Sequence, residues 1–239
     1  MERKYELTDE TREVYGHTLH RIVAVRSFGS VKAGDKGGWI EKESNLSHEG
    51  NCWVYDDAMV FADAMVASDA YVCGKVNVYD NAAVFGSAHV HGSAVLYGEA
   101  TVSGNAFVYG SAQVFGYADV YENAYVRGNA TVCGWATVFG YARICESAKV
   151  CGYAEVSGDT VLCKDAVVRS NRDYIVFKNW WSSGRYFTWT RSNNKWRVGC
   201  FYGTGEKLIR KAYRDSEESG REYERIVRYV EEIIKDNQE

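Results

Sequence analysis

Two histidines two residues apart, His89 and His91, leave the same side of any strand that holds them, and Cys73 stands eighteen residues before the second. Two nitrogens and a sulfur with one open position would suit zinc. Either histidine could instead act as a general base, given a partner to fix it and a pocket for the substrate. Phe107, Tyr109 and Tyr125 follow, then Arg127 and Arg143. Flat rings beside guanidinium groups are the parts of a nucleotide site, the rings stacking a base and the arginines donating to phosphate. A second group, Trp180, Trp181 and Arg185, lies in a run of small residues flanked by cations, the composition of a binding loop. Plainer readings stand beside these. Outward histidines are usually surface, arginines often cover ring faces, and clustered tryptophans usually form core.

What must position these residues is a six-residue rhythm. From Val54 to Val168 every sixth residue is Val, Leu or Ile. A small residue, most often Ala, sits two places before it, with only Val76 larger, and Gly most often sits two places after, often followed by Asn, Ser or Asp. Side chains alternate along a strand, so the small and aliphatic positions face one way and the intervening ones the other. Gly with Asn, Ser or Asp then turns the chain. A strand of about four residues cannot bury its apolar side alone. Three such strands wound into a triangle can, each coil stacking on the last at roughly 4.8 Å. Period six is therefore a β-helix signature, with three hexads to a coil.

These hexads resemble those of the hexapeptide-repeat, left-handed parallel β-helix proteins, whose best-known members are trimeric acyltransferases. In the commonest form of that repeat Gly directly follows the aliphatic anchor; here it comes one place later, and an aromatic residue often takes the slot. The opening, Gly34-Asp35-Lys36-Gly37-Gly38-Trp39-Ile40-Glu41 and then Glu49-Gly50-Asn51-Cys52-Trp53-Val54, resembles the start of a subgroup frequent in phages and prophages and often labelled transferases by fold alone. The resemblance implies a left-handed coil. For activity it implies acyl transfer from acyl-CoA, with a histidine base in a cleft between subunits.

The expected fold is mainly β: a left-handed parallel β-helix of about seven coils over 51–170, an N-terminal β unit and cap over 1–50, and a small C-terminal α+β domain over 171–239. In the first segment a hairpin turns at Gly16-His17, Lys32 to Gly38 is a loop, and Trp39, Ile40 and Leu46 plug the first coil. In the last, strands at Tyr174–Phe177, Arg185–Arg191 and Trp196–Tyr202 precede two helices. Thr204 is expected to cap the first helix, and Ser219-Gly220-Arg221-Glu222 to open the second as a capping box.

Taking every third hexad sorts the outward residues into three faces. The first carries the histidine, aromatic and arginine set. The second carries Phe61, Tyr79, Tyr97 and Phe115, beside a turn row of Tyr117, Trp135 and Tyr153. So continuous an aromatic ladder is too apolar to leave wet, and it reads as a subunit interface or a seat for the C-terminal domain. The third face is mixed.

Composition narrows the function. With 28 basic and 32 acidic side chains in 239 residues, whole-protein charge gives no case for nucleic acid or anionic membranes. Residues 51–170 hold six basic and twelve acidic side chains, and 171–239 hold fourteen and eleven. Seven cysteines, an odd number, read as free thiols in a reducing compartment. The stacked pairs Cys133/Cys151 and Cys145/Cys163 are expected to lie side by side, a poor disulfide geometry. With no signal peptide and no apolar run near 18 residues, a cytoplasmic protein is expected, in the host if phage-encoded. No loop interrupts the hexads, and His89 and His91 project from a flat strand, which tells against an acyltransferase.

The expectation is therefore a non-catalytic binding protein, without resident cofactor or metal, that self-associates as a trimer or dimer. Its partner is a small anionic, nucleotide-like ligand or a host protein. By resemblance, its concrete form is a phage-type, host-directed factor that captures a defence signal or blocks a defence protein. The alternatives are an acyl-CoA-dependent acyltransferase and a polymer-forming scaffold.

Overall fold

The computed structural model describes residues 2–236, which divide into two compact units, one ending at Asn171 and the other starting at Arg172. In the first unit the six-residue rhythm winds into a β-solenoid of about seven turns with three parallel sheets. Each rung pairs with the rung eighteen residues on: His89 with Phe107, Val95 with Gln113, Thr101 with Asp119. The three faces are those the hexad count assigns. Every anchor from Val54 to Val168 is fully buried, as is every Ala from Ala82 to Ala154 that sits two places before an anchor. Aliphatic rows thus face inward and rings outward. Each buried valine contributes about 1.5–3 kcal/mol relative to exposure, and stacking repeats that gain on rungs too short to stand alone.

The corners obey a stricter rule than the sequence suggests. Two places after each anchor, from Asp56 (φ 54°) to Lys164 (φ 62°), the backbone is left-handed whether or not the residue is Gly. Coil-to-coil approach is close there: a Cβ on Gly98 would stand 2.9 Å from the Gly116 nitrogen. Where Asp56, Asp80 and Glu122 replace Gly, their carboxylates accept the amides of Gly74, Gly98 and Gly140 at 2.9, 3.1 and 2.9 Å. Each strained acid therefore caps an N–H in the next corner.

The N-terminal segment extends the solenoid. Strands β1 (Tyr5–Val14) and β2 (His17–Ala24) form the hairpin, but its turn is Tyr15-Gly16, one place earlier than expected. Both turn residues have positive φ (51° and 85°), as a tight two-residue hairpin requires. The expected loop from Lys32 to Gly38 gives way to strand β3 (Lys36–Ile40), antiparallel to β2 and parallel to the rung at Met59–Val60. Ile40 pairs with Val60, and Leu46 bridges Val66, so both are anchors of an earlier, partial coil.

Trp39 does not plug that coil. It lies outside, between the Arg12 and Arg21 guanidinium groups at 4.5 and 4.1 Å, and packs with Leu19 and Phe61. Lys4, fully buried, is the polar plug. Its ammonium donates to the Cys52 carbonyl at 2.9 Å and to those of Glu49 and Gly50 at 3.3 and 3.4 Å, with the Cys52 sulfur at 3.2 Å.

The second unit is a four-stranded antiparallel sheet (Tyr174–Lys178, Tyr186–Thr190, Lys195–Val198, Phe201–Gly203) with helices α1 (Gly205–Asp215) and α2 (Glu217–Asp236). Phe187, Trp189, Trp196, Leu208, Ile209 and Val227 share its core. The run expected as one strand to Tyr202 breaks at Gly199, whose φ is 53°. Thr204 holds the cap position of α1 without a side-chain bond. Helix α2 starts at Glu217, ahead of Ser219, because the Ser216 hydroxyl accepts the Ser219 amide at 3.0 Å. Gly220 then lies inside α2, where a Cβ would meet the Tyr213 ring at 2.2 Å. Among the described residues no helix is long and apolar enough to cross a membrane.

Candidate ligand-binding face

The first face brings seven of the sequence-predicted residues onto one parallel sheet, in two columns. In one, His89 stacks on Phe107 (4.9 Å between ring centres, 8° between planes) and Phe107 on Tyr125 (5.0 Å, 4°), with Arg143 on the next rung. In the other, His91 stacks on Tyr109 (4.8 Å, 7°), with Arg127 next. Ladder register forces this stacking, because in-register rings one rung apart have nowhere else to turn. It also limits what they can hold. Inner rings already cover each other's faces, so a flat ligand could stack only at the column ends, which on the arginine side are Tyr109 and Tyr125. Arg127 and Arg143 stand at those ends, both exposed, and among the described residues neither has an ion-pair partner. They are diagonal neighbours on adjacent rungs, separated by roughly 7–8 Å along the sheet.

Burial, with His89 beside it, pushes the His91 pKa below the ordinary imidazole value. His91 is therefore neutral near pH 7, and positive charge on this face comes from the arginines. Burial and the neighbouring Cys73 push the Tyr71 phenol up to about 12. The Cys73 thiol shares a hydrogen bond with Tyr71. Among the described residues no three His, Cys, Asp or Glu side chains converge as a metal site.

In the second unit Trp180 is 81% exposed, whereas Trp181 packs on Phe187 and Tyr223 at 6.1 and 5.9 Å and belongs with that unit's core. Buried Asn179 shapes the loop, its carbonyl accepting the Ser182 amide at 2.9 Å. Arg185 is exposed.

On the second face Phe61, Tyr79, Tyr97 and Phe115 stack in sequence at 5.2, 5.3 and 4.7 Å. Phe61 lies beneath the hairpin, 2% exposed, so the chain itself covers this residue expected at an interface. Tyr117, Trp135 and Tyr153 form a separate column, 51%, 54% and 76% exposed. No motif in the sequence marks His17. Its partner is Glu41, whose carboxylate lies 2.9 Å from His17 Nδ1.

Comparison with known proteins agrees with the architecture. The family model of the YdcK β-solenoid repeat matches residues 78–92. Over 62 residues, 23% of this chain, the sequence is 42% identical to the "Uncharacterized acetyltransferase YdcK" of Escherichia coli (strain K12), and the match spans 19% of that relative's length. With the three parallel ladders, these local likenesses show that the chain carries a β-solenoid repeat scaffold.

Proposed function

We propose that the protein is a non-catalytic binding protein whose first face takes an anionic, ring-bearing ligand of the nucleotide kind. The observation that carries this reading is the pair of exposed, unpaired guanidinium groups, Arg127 and Arg143, standing where the two ring columns end. A base stacked on Tyr109 or Tyr125 would take the place over the ring where Arg127 or Arg143 stands on the next rung, and those long, exposed side chains would swing outward to hold phosphate. In its finer form, supported by the resemblance of the opening residues, the proposal is a host-directed factor of the phage kind that captures a nucleotide defence signal or blocks a defence protein. Self-association through the exposed Tyr117–Trp135–Tyr153 column belongs to the same proposal.

The test is titration of the full chain with adenosine monophosphate and with a cyclic dinucleotide. Charged hydrogen bonds contribute about 1.5–3 kcal/mol each. The Arg127→Ala/Arg143→Ala variant should thus bind at least about a hundredfold more weakly, with its melting temperature nearly unchanged. Equal binding by the variant, or none by the wild type, would remove the site. A second reading, acyl transfer, draws on the local likeness to a protein named an acetyltransferase. Steady turnover of acetyl-CoA would favour it over binding alone.

A further inference from the structure

A groove of about 260 Å³ opens where the hairpin turn overhangs the second face, lined by Tyr15, His17, Phe61, Ala62, Tyr79 and Asp80. It lies wholly within the first unit. His17 leaves the start of β2 and reaches Glu41 just beyond β3, Nδ1 to Oε1 at 2.9 Å. The other Glu41 oxygen accepts the Ala62 amide at 2.6 Å. Burial alone would push this carboxyl up, but the bonds from His17 and Ala62 outweigh it and hold the group below the usual carboxylate range. An ionised carboxylate can only accept, so the shared proton sits on Nδ1. With that proton on Nδ1, the neutral tautomer of the His17 ring presents an acceptor lone pair at Nε2, an atom that bonds no protein group among the described residues.

The rest of the lining is aromatic and acidic. Phe61 is held between His17 (5.2 Å) and Tyr79 (5.2 Å, planes 11° apart), which fixes the inner wall. Tyr15, 87% exposed, overhangs from the turn. Asp80 is exposed at the rim, with one oxygen on the Gly98 amide at 3.1 Å and the other available. Among the described residues no lysine or arginine lines the groove. Aromatic walls, a rim carboxylate and a nitrogen acceptor are jointly complementary to one chemistry. A protonated amine can donate to Asp80 and to His17 Nε2 while lying against ring surface.

We propose that this groove is a binding site for small primary amines carrying an apolar or aromatic body, separate in place and opposite in charge preference from the arginine-bearing face. The test titrates the full chain with 2-phenylethylamine, and with 2-phenylethanol as its uncharged analogue, following the His17 and Tyr79 side-chain signals by NMR. The amine should shift both signals saturably and bind about tenfold or more tighter than the alcohol. Asp80→Asn should lose most of that difference. Asn tolerates the left-handed backbone there (φ 56°) and can still accept the Gly98 amide, so the variant tests charge rather than folding. Arg127→Ala/Arg143→Ala should leave amine binding unchanged, which separates this site from the anion site. Equal affinity for amine and alcohol, or an Asp80→Asn variant that binds the amine as the wild type does, would overturn the proposal.

Discussion

A fully buried lysine is tolerable only if its ammonium is satisfied, and Lys4 is satisfied by the carbonyls that close the solenoid's first end. Burial pushes its pKa down, partly countered by Cys52, and burial pushes the Cys52 thiol up. Lys4→Met keeps most of the volume but strands those acceptors, a cost of about 1–3 kcal/mol. The expected result is a lower melting temperature and faster amide exchange at Trp39 and Trp53, with Val150 unaffected. Lys164→Met breaks only the exposed pair with Glu146 at 3.0 Å and should stay within about 0.5 kcal/mol of wild type. The pH dependence has a definite sign. Since folding lowers the Lys4 pKa below its ordinary 10.5, its contribution grows as pH rises toward that value. The wild-type advantage over Lys4→Met should therefore be larger at pH 10 than at pH 7. None of this was legible in the sequence, because the lysine's partners lie some 45 residues away and no local pattern joins them.

The rung was the most legible element, because its pattern recurs without interruption from Val54 to Val168 and each copy reinforces the same reading. The partial coil was not. Ile40 and Leu46 sit twenty residues before their partners, and the two extra residues break the count. Outward rings were legible from alternation alone, but the covering of each ring by the next follows only from ladder register. His17, at the start of β2, and Glu41, just beyond β3, carried no shared spacing at all. At the corners the sequence suggested a residue type, whereas the coil demands a conformation. That difference sets two substitutions against each other. Gly134→Ala forces a Cβ into a left-handed corner (φ 73°) 3.0 Å from the Gly152 nitrogen. It should cost about 1–2 kcal/mol or more. Ser68→Gly relieves the same strain (φ 60°), offset by the extra freedom of unfolded glycine, and should be neutral to slightly stabilising, within about 0.5–1 kcal/mol. Chemical denaturation would read both, and a Gly134→Ala variant as stable as wild type would show that the corners are not conformationally strict.

At the scale of the whole molecule, the unexplained feature is apolar surface left in water. Tyr117, Trp135 and Tyr153 present more than half their area to solvent, in a column held flat by stacking at 4.0 and 6.5 Å with planes within 9°. A row of ring edges at ladder spacing matches another row of the same spacing, so the patch is complementary to itself. Self-complementarity favours a two-fold dimer, which needs one patch, over a three-fold ring, which needs two different ones. Rigid rings also lose little side-chain freedom on association. The expected solution mass is thus about twice the 26.9 kDa of one chain. Trp135→Lys/Tyr153→Lys should bring it to the monomer value while leaving the far-ultraviolet spectrum unchanged, since both side chains lie outside the buried rows. Light scattering decides among three cases. A dimer lost in the double variant supports the column as the contact, whereas a dimer that survives it moves the contact elsewhere. A wild-type monomer at tens of micromolar would mean that the rings are kept for a different partner.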